Sequence, residues 1–484
     1  MREHLRPPTL PNAKSPWGTS EEEDRDRQTA MEADLAVLRT QLPDMLERFS
    51  RIKDPRRPGS VRHKIAVLLV YGVLMFAFNM GSRREANQKL SRPGLWEVLR
   101  LAFPELDSLP HTDTLARLLE TIDPGEIEKV LFAQMRALLR RQKLRALMVE
   151  RGYVVAVDGE QLWMRTTPFA PQATRRASGG EVHYAVYVVK AMLVCPEGVT
   201  LPLGAEFCEN VEVDERGEIA EDVKQDCELK ATKRLCERVK EEFPRLPILL
   251  VADSLYASEP IVTLCRRYRW DFMVVLKEGK MPSLWREIEA LHALDGEENT
   301  YQQIWHARKQ TIWWVNDVEH EVRDPNARRQ VVYHVVVCEE RWDERQVERR
   351  ADGTEEEKEV TKTARHAWIS GKRLNAKNVH SRCNLAGRHR WDLEEANWTD
   401  KHVQNMTHAF SLTWQAIKGW FYLMLLGSLI QTLSLYSADL WRLAERLGVT
   451  AMVAFLWQTY SVFRPNRDRL CETLTRPAQL RLIW

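Results

Sequence analysis

A mixed α/β core with helical flanks is the fold class that the order of sequence patterns predicts, and three observations carry it. Short β-branched runs begin at Tyr153: YVVAVDG, HYAVYVVKAMLVC, VTLPLGAEFC, PILLVAD and WDFMVVLK. Two helical segments, roughly 226–243 and 259–268, separate the last three of these runs. Helical periodicity also precedes the strands and resumes after Asn405.

Composition sets the frame. The chain has 484 residues, 44% hydrophobic and 29% charged, the balance of a globular protein long enough for about three domains. The longest uninterrupted apolar run, Ile65 to Phe78, is shorter than the roughly 20 residues of a spanning helix and is flanked by cations, which predicts a buried helix and no membrane. The first 30 residues hold no apolar signal core, so a cytoplasmic location is expected. Eight cysteines without a C-x-x-C pair predict reduced thiols rather than zinc or a disulfide framework. A formal charge of +2 hides basic clusters at 53–64, 136–151 and 382–390 and an acidic block at 355–359, a distribution that permits a polyanion partner.

Residues 1–30, rich in proline and charge, predict a disordered tail. Residues 31–150 predict a helical domain, with Thr112 or Asp113 and Asp123 as helix caps and Pro124 at a first helical position. Residues 151–280 and 365–440 form the expected core: three strands, helix, strand, helix, strand, the element order of a ribonuclease-H-like domain. Between them, 281–364 opens with a helix and continues in strand-like runs, predicting a β-rich insertion. A helical C-terminal region, 441–484, follows.

Asp158 and Asp253 each stand where an apolar strand runs out, the end at which ligands gather in α/β sheets; either acid alone also fits a turn cap. The stretch HRWDLEEANWTDKHV, 389–403, has helical spacing. One row carries Arg390, Glu394, Asn397 and Lys401, and another carries Trp391, Glu395, Trp398 and His402. An exposed helix with ordinary Glu and Lys pairs fits this spacing equally well. Three carboxylates from two strand ends and one helix are a hard, oxygen-only donor set suited to Mg²⁺ or Mn²⁺. Arg390 and Lys401 would then hold phosphate.

These residues resemble the Y-x2-R-x3-E-x6-K signature of cut-and-paste DDE transposases from bacterial insertion sequences. Arg390, Glu394 and Lys401 fall at its spacing, and VAVDGE and VADSLYAS are similar to the segments bearing the family's first two acids. The resemblance implies Asp158, Asp253 and Glu394 as catalytic ligands of two Mg²⁺ or Mn²⁺ ions, with Arg390, Lys401 and Asn397 at phosphate or DNA. It implies double-stranded DNA with terminal inverted repeats and target DNA as partners, and a homodimer in the synaptic complex. It also implies a β-rich insertion that helps to hold a flipped base, for which Trp305, Trp313 and Trp314 are the candidates; a packed β core is their other reading. The signature's tyrosine position is Gly387 here, so its role in phosphate contact or hairpin handling has no evident bearer. Two alternatives remain at this point: a metal-dependent nuclease that cleaves without joining, and an inactive or domesticated DNA-binding protein.

Overall fold

The computed structural model describes residues 16–484 apart from 197, 211–225, 296–297, 325–326 and 350–354. It divides into two units, one comprising Met1–Val130, Val403–Asn405 and Gln415–Trp484, the other Leu131–His402 and Met406–Trp414. The N-terminal helices are α1 (Ser20–Ser50), α2 (Ile65–Ala77), α3 (Arg83–Lys89), α4 (Pro93–Ala102), α5 (Thr112–Leu119) and α6 (Pro124–Arg140). Helix α1 starts inside the expected tail because Thr19 Oγ1 accepts from Glu22 N–H and Glu21, Glu22 and Glu23 occupy the first turn, where the helix dipole favours acids. Residues 1–15 of that tail lie outside the described residues. Every residue of α2 is buried.

In the second unit the strands are β1 (Met148–Val149), β2 (Gly152–Arg165), β3 (Thr174–Ser178), β4 (Glu181–Val194), β5 (Thr200–Cys208), β6 (Ile248–Ala252) and β7 (Asp271–Val275). Helices α7 (Glu228–Glu242) and α8 (Glu259–Tyr268) precede β6 and β7. Strand β2 is central: it pairs antiparallel with β4 on one side and parallel with β6 on the other, and β6 pairs parallel with β7. Parallel neighbours require crossovers, which is why helices alternate with these strands.

Helix α9 (Pro282–Asp295) and strands β8 (Thr300–Trp305), β9 (Arg308–Asp324), β10 (Ala327–Arg349) and β11 (Glu355–Ser370) fill the expected insertion. They do not form a separate sheet. The last residues of β11, Trp368–Ser370, pair with Met273–Val275 of β7, so the hairpins extend the central sheet to 11 strands. The expected boundary at 364/365 therefore falls inside one strand. A core of Val154, Ala156, Leu249, Val251, Trp314 and Leu393, among others, runs under both parts. After β11, a wide π-helical turn at Ser381–Ala386 leads into α10 (Arg390–His402).

Helices α11 (Trp414–Leu435), α12 (Trp441–Leu447), α13 (Val449–Val462) and α14 (Arg467–Thr475) complete the chain. Gly427 lets α11 approach α2: a Cβ there would lie 2.6 Å from Phe76 Cβ. Contrary to the expectation from short apolar runs, α11 is by length and composition apolar enough to cross a membrane; most of it is buried within the structure. Gln415, Lys418 and Gln431 interrupt its apolar run in the sequence and hid its length. All eight cysteines lie among the described residues and are free thiols.

Candidate active site

Parallel pairing of β2 with β6 ends at Val157 opposite Ala252, and the next residue on each strand is an acid. Asp158 and Asp253 thus stand side by side on neighbouring strands, whose general spacing is about 4.8 Å. The strand does not stop at Asp158 as the sequence suggested; β2 continues to Arg165 against β4 alone. At Asp253 the chain turns, and its Oδ1 accepts from Leu255 N–H at 2.7 Å. This acid caps a turn as well as bordering the site.

Helix α10 brings the third acid. Arg390 Nη2 donates to Glu394 Oε1 at 2.6 Å, while Arg390 Nη1 lies 3.6 Å from Asp158 Oδ2. One guanidinium therefore bridges the helix acid and the strand acid. Asp253, Lys277, Trp285, Trp368, Arg390 and Glu394 line a cleft of about 430 Å³. Glu395 is exposed on the adjacent row with Trp391 and Trp398, the latter's ring tilted against His402 at 4.7 Å. Asp392 pairs with His389 Nδ1 at 2.7 Å.

A fourth carboxylate, missed from the sequence, joins the two aspartates. Glu228, the first residue of α7, accepts from Tyr256 Oη at 2.6 Å. Its carboxyl carbon would lie 2.4 Å from a Cβ at residue 159, so Gly159 leaves it the space. Burial pushes the Asp158 carboxyl up to about 6; Arg390 opposes that shift, while the negative charges of Glu228 and Asp253 add to it. Burial likewise raises Glu228, against the Tyr256 hydrogen bond. The signal available was QDCELKATKRL, an acid opening a helix after three strands, but its partner Tyr256 is remote in sequence.

The other expected residues are placed less simply. Lys401 Nζ meets Glu160 Oε1 at 2.5 Å, and Asn397 is buried, with an Oδ1 that has no hydrogen-bond partner among the described residues. Neither presents a free group to a phosphate in this arrangement. Of the candidate stacking residues, Trp314 belongs to the core and Trp313 is buried with its ring stacked 4.1 Å from His292 of α9. Adjacent strand residues face opposite sides, and here both sides are covered. Trp305 stays half-buried, with the Arg388 guanidinium 5.1 Å over its ring. A Cβ at residue 387 would lie 2.9 Å from Trp368 Nε1, which explains why a small residue occupies the signature's tyrosine position.

The 382–390 basic cluster is largely consumed by internal pairing. Arg382 is fully buried and donates to Asp271 at 2.8 and 2.9 Å, and Arg388 pairs with buried Glu340. These contacts clamp the turn before α10 between β7 and β10. Exposed cations persist elsewhere, at Arg140, Arg141 and Arg145.

All four acids offer oxygen, the donor type that a hard divalent cation requires. Among the described residues, however, no three His, Cys, Asp or Glu side chains converge tightly enough to grip an ion. Glu394 is turned to Arg390 rather than to the aspartates. The donor set fits such a cation in kind.

Residues 46–135 match the family model described as DDE_Tnp_1-associated. No curated protein sequence matches the chain. Among solved structures, a cryo-EM piggyBac transposase synaptic complex with hairpin DNA aligns over 95% of this chain and 87% of that one. Its TM-score is 0.37 at 10% identity, a likeness too remote to carry an argument.

Proposed function

We propose that the protein is a DDE-type DNA transposase that cleaves phosphodiesters at element ends and joins the freed 3′-hydroxyl to target DNA. The observation that carries this reading is the adjacency of Asp158 and Asp253 at the end of the β2–β6 pairing, with Arg390 bridging Asp158 to Glu394 of α10. The match of residues 46–135 to a transposase-associated model supports it independently. The strand order β5–β4–β2–β6–β7, with α7 and α8 as crossovers, supports a ribonuclease-H-like core.

In this reading Asp158, Asp253 and Glu394 hold two Mg²⁺ or Mn²⁺ ions, and Glu228 borders them. Such ions supply Lewis acidity for the attacking and departing oxygens of an in-line displacement. Arg390, lying between Asp158 and Glu394, orients a phosphate oxygen through its planar fork. Trp305, Trp391 and Trp398 offer accessible ring surface to unpaired bases near the cut. The helical region 31–150, which includes the matched residues 46–135, binds terminal inverted repeats, a homodimer pairs two ends, and the reaction takes place in the cytoplasm.

The test uses a duplex carrying the natural flanks of the gene, incubated with Mg²⁺ and the wild-type protein or Asp253→Asn. Wild-type cleavage followed by joining to a second duplex, both absent in the variant, is expected. Cleavage without joining favours a nuclease, a reading that Gly387 at the signature's tyrosine position also raises. Salt-sensitive binding without cleavage favours a DNA-binding protein.

A further inference from the structure

The buried seam of α10 is unusual. Its buried residues are Arg390, Leu393, Asn397 and Asp400, so three of the four positions facing the sheet are polar. A helix docked by an apolar stripe can rotate or slide by small amounts with little change in buried area, because apolar contact is not directional. A polar seam is different: each buried group needs a partner at one distance and angle.

The partner of Asp400 is Lys190. Lys190 is fully buried on β4, in the otherwise apolar run YVVKAMLV, and its Nζ donates to Asp400 Oδ2 at 2.7 Å. Lys190 is also the cross-strand register partner of Asp158. Register partners in an antiparallel pair project from the same face of the sheet. The cation that grips α10 therefore rises from the position paired with the first candidate catalytic acid. Asp400 follows Glu394 by six residues, about 9 Å along the helix axis. Lys401, next to Asp400, adds a second tie through Glu160, two residues beyond Asp158 on β2.

We infer that Lys190 and Asp400 are positioning residues, a buried ion pair that fixes the rotation of α10 and thereby holds Glu394 on the side of the helix that borders the cleft with Asp253. The inference rests on the metal-site reading proposed above. It assigns a task to two charges whose burial carries a desolvation cost and which no step of the proposed chemistry uses. Well-packed apolar residues of similar volume often replace such a pair without loss of stability. What the pair provides beyond packing is direction.

The full-length protein tests this with Tb³⁺ as the probe, read by tryptophan-sensitised luminescence, and with amide exchange of residues 390–402. The variants are Lys190→Met with Asp400→Leu, and Lys190→Gln with Asp400→Asn; Glu394→Gln is the control. The apolar double variant is expected to melt close to wild type yet bind Tb³⁺ about tenfold more weakly, as when a group that orients a metal ligand is lost. Its α10 amides should exchange faster. The amide double variant, which keeps a neutral hydrogen bond, should fall between the two and stands in if the apolar one does not fold. A wild-type protein that binds no Tb³⁺ overturns the reading on which the inference rests. A wild type that binds it, with folded double variants of unchanged affinity and exchange, overturns the inference alone.

Discussion

Asp34, buried, and Asp158, half-buried, are both carboxylates raised above their ordinary range by desolvation, one in each unit. Their surroundings differ. Asp34 accepts from Ser434 Oγ at 2.6 Å and from Tyr460 Oη at 2.8 Å, so both oxygens have a neutral donor. Asp158 has the Gly159 amide at 3.0 Å and Arg390 at 3.6 Å, but it also faces the charges of Glu228 and Asp253. An acid supplied with hydroxyl donors holds helices together. An acid crowded by other acids is costly where it stands, a cost that the proposed chemistry at this site would account for.

The sharpest way to break this contrast is to exchange activity for stability. Asp158→Asn should lower Mg²⁺-dependent cleavage by on the order of a thousandfold or more, as loss of a group that stabilises developing charge does. The same variant should be at least as stable as wild type. Asp34→Ala should do the reverse: leaving two buried hydroxyls without their acceptor costs about 3 kcal/mol, read by denaturant unfolding. Cleavage per folded molecule should be unchanged.

The pH dependence sharpens the contrast further. The folded pKa of Asp158, about 6, lies above the ordinary aspartate value of 3.8, so the native state binds more protons than the unfolded chain between those values. Its contribution therefore favours folding at low pH and is lost as pH rises through that window. Asp158→Asn should gain about 1–2 kcal/mol over wild type above pH 6, after allowance for partial exposure, and lose that gain below about pH 4. Melting curves of both proteins from pH 4 to 8 read this directly. A smaller effect is expected at Gly387, where a tyrosine must displace the Trp368 indole. Gly387→Tyr should cost about 1–3 kcal/mol, typical of overpacking, and should not improve joining.

Much of the second unit was legible because its strands are apolar runs ended by acids. YVVAVDG and PILLVAD announced both β2 and β6 and the residues at their common end. The end of β2 was misplaced because Gly159, Glu160 and Gln161 look like a turn, whereas they continue an edge-to-edge pairing with β4. Strands β10 and β11 read as fragments because charged residues alternate along them, and nothing local shows that three residues of β11 tie the hairpins to β7. Glu228 escaped notice because its meaning depends on Gly159 and Tyr256, contacts that exist only once three elements meet. Lys190, by contrast, was visible as a lone cation inside YVVKAMLV, and only its partner was hidden. Trp313 and Trp314 were chosen by side-chain type, and burial on both faces removed them.

The register of α10 decides the whole assignment, since Glu394 faces the cleft while Glu395 faces outward one residue later. The direct test is Mg²⁺-dependent cleavage of a duplex carrying the gene's natural flanks by wild type, Glu394→Gln and Glu395→Gln. The account predicts that cleavage is lost with Glu394→Gln and kept with Glu395→Gln. Loss with Glu395→Gln alone, or full activity in Glu394→Gln, would contradict it.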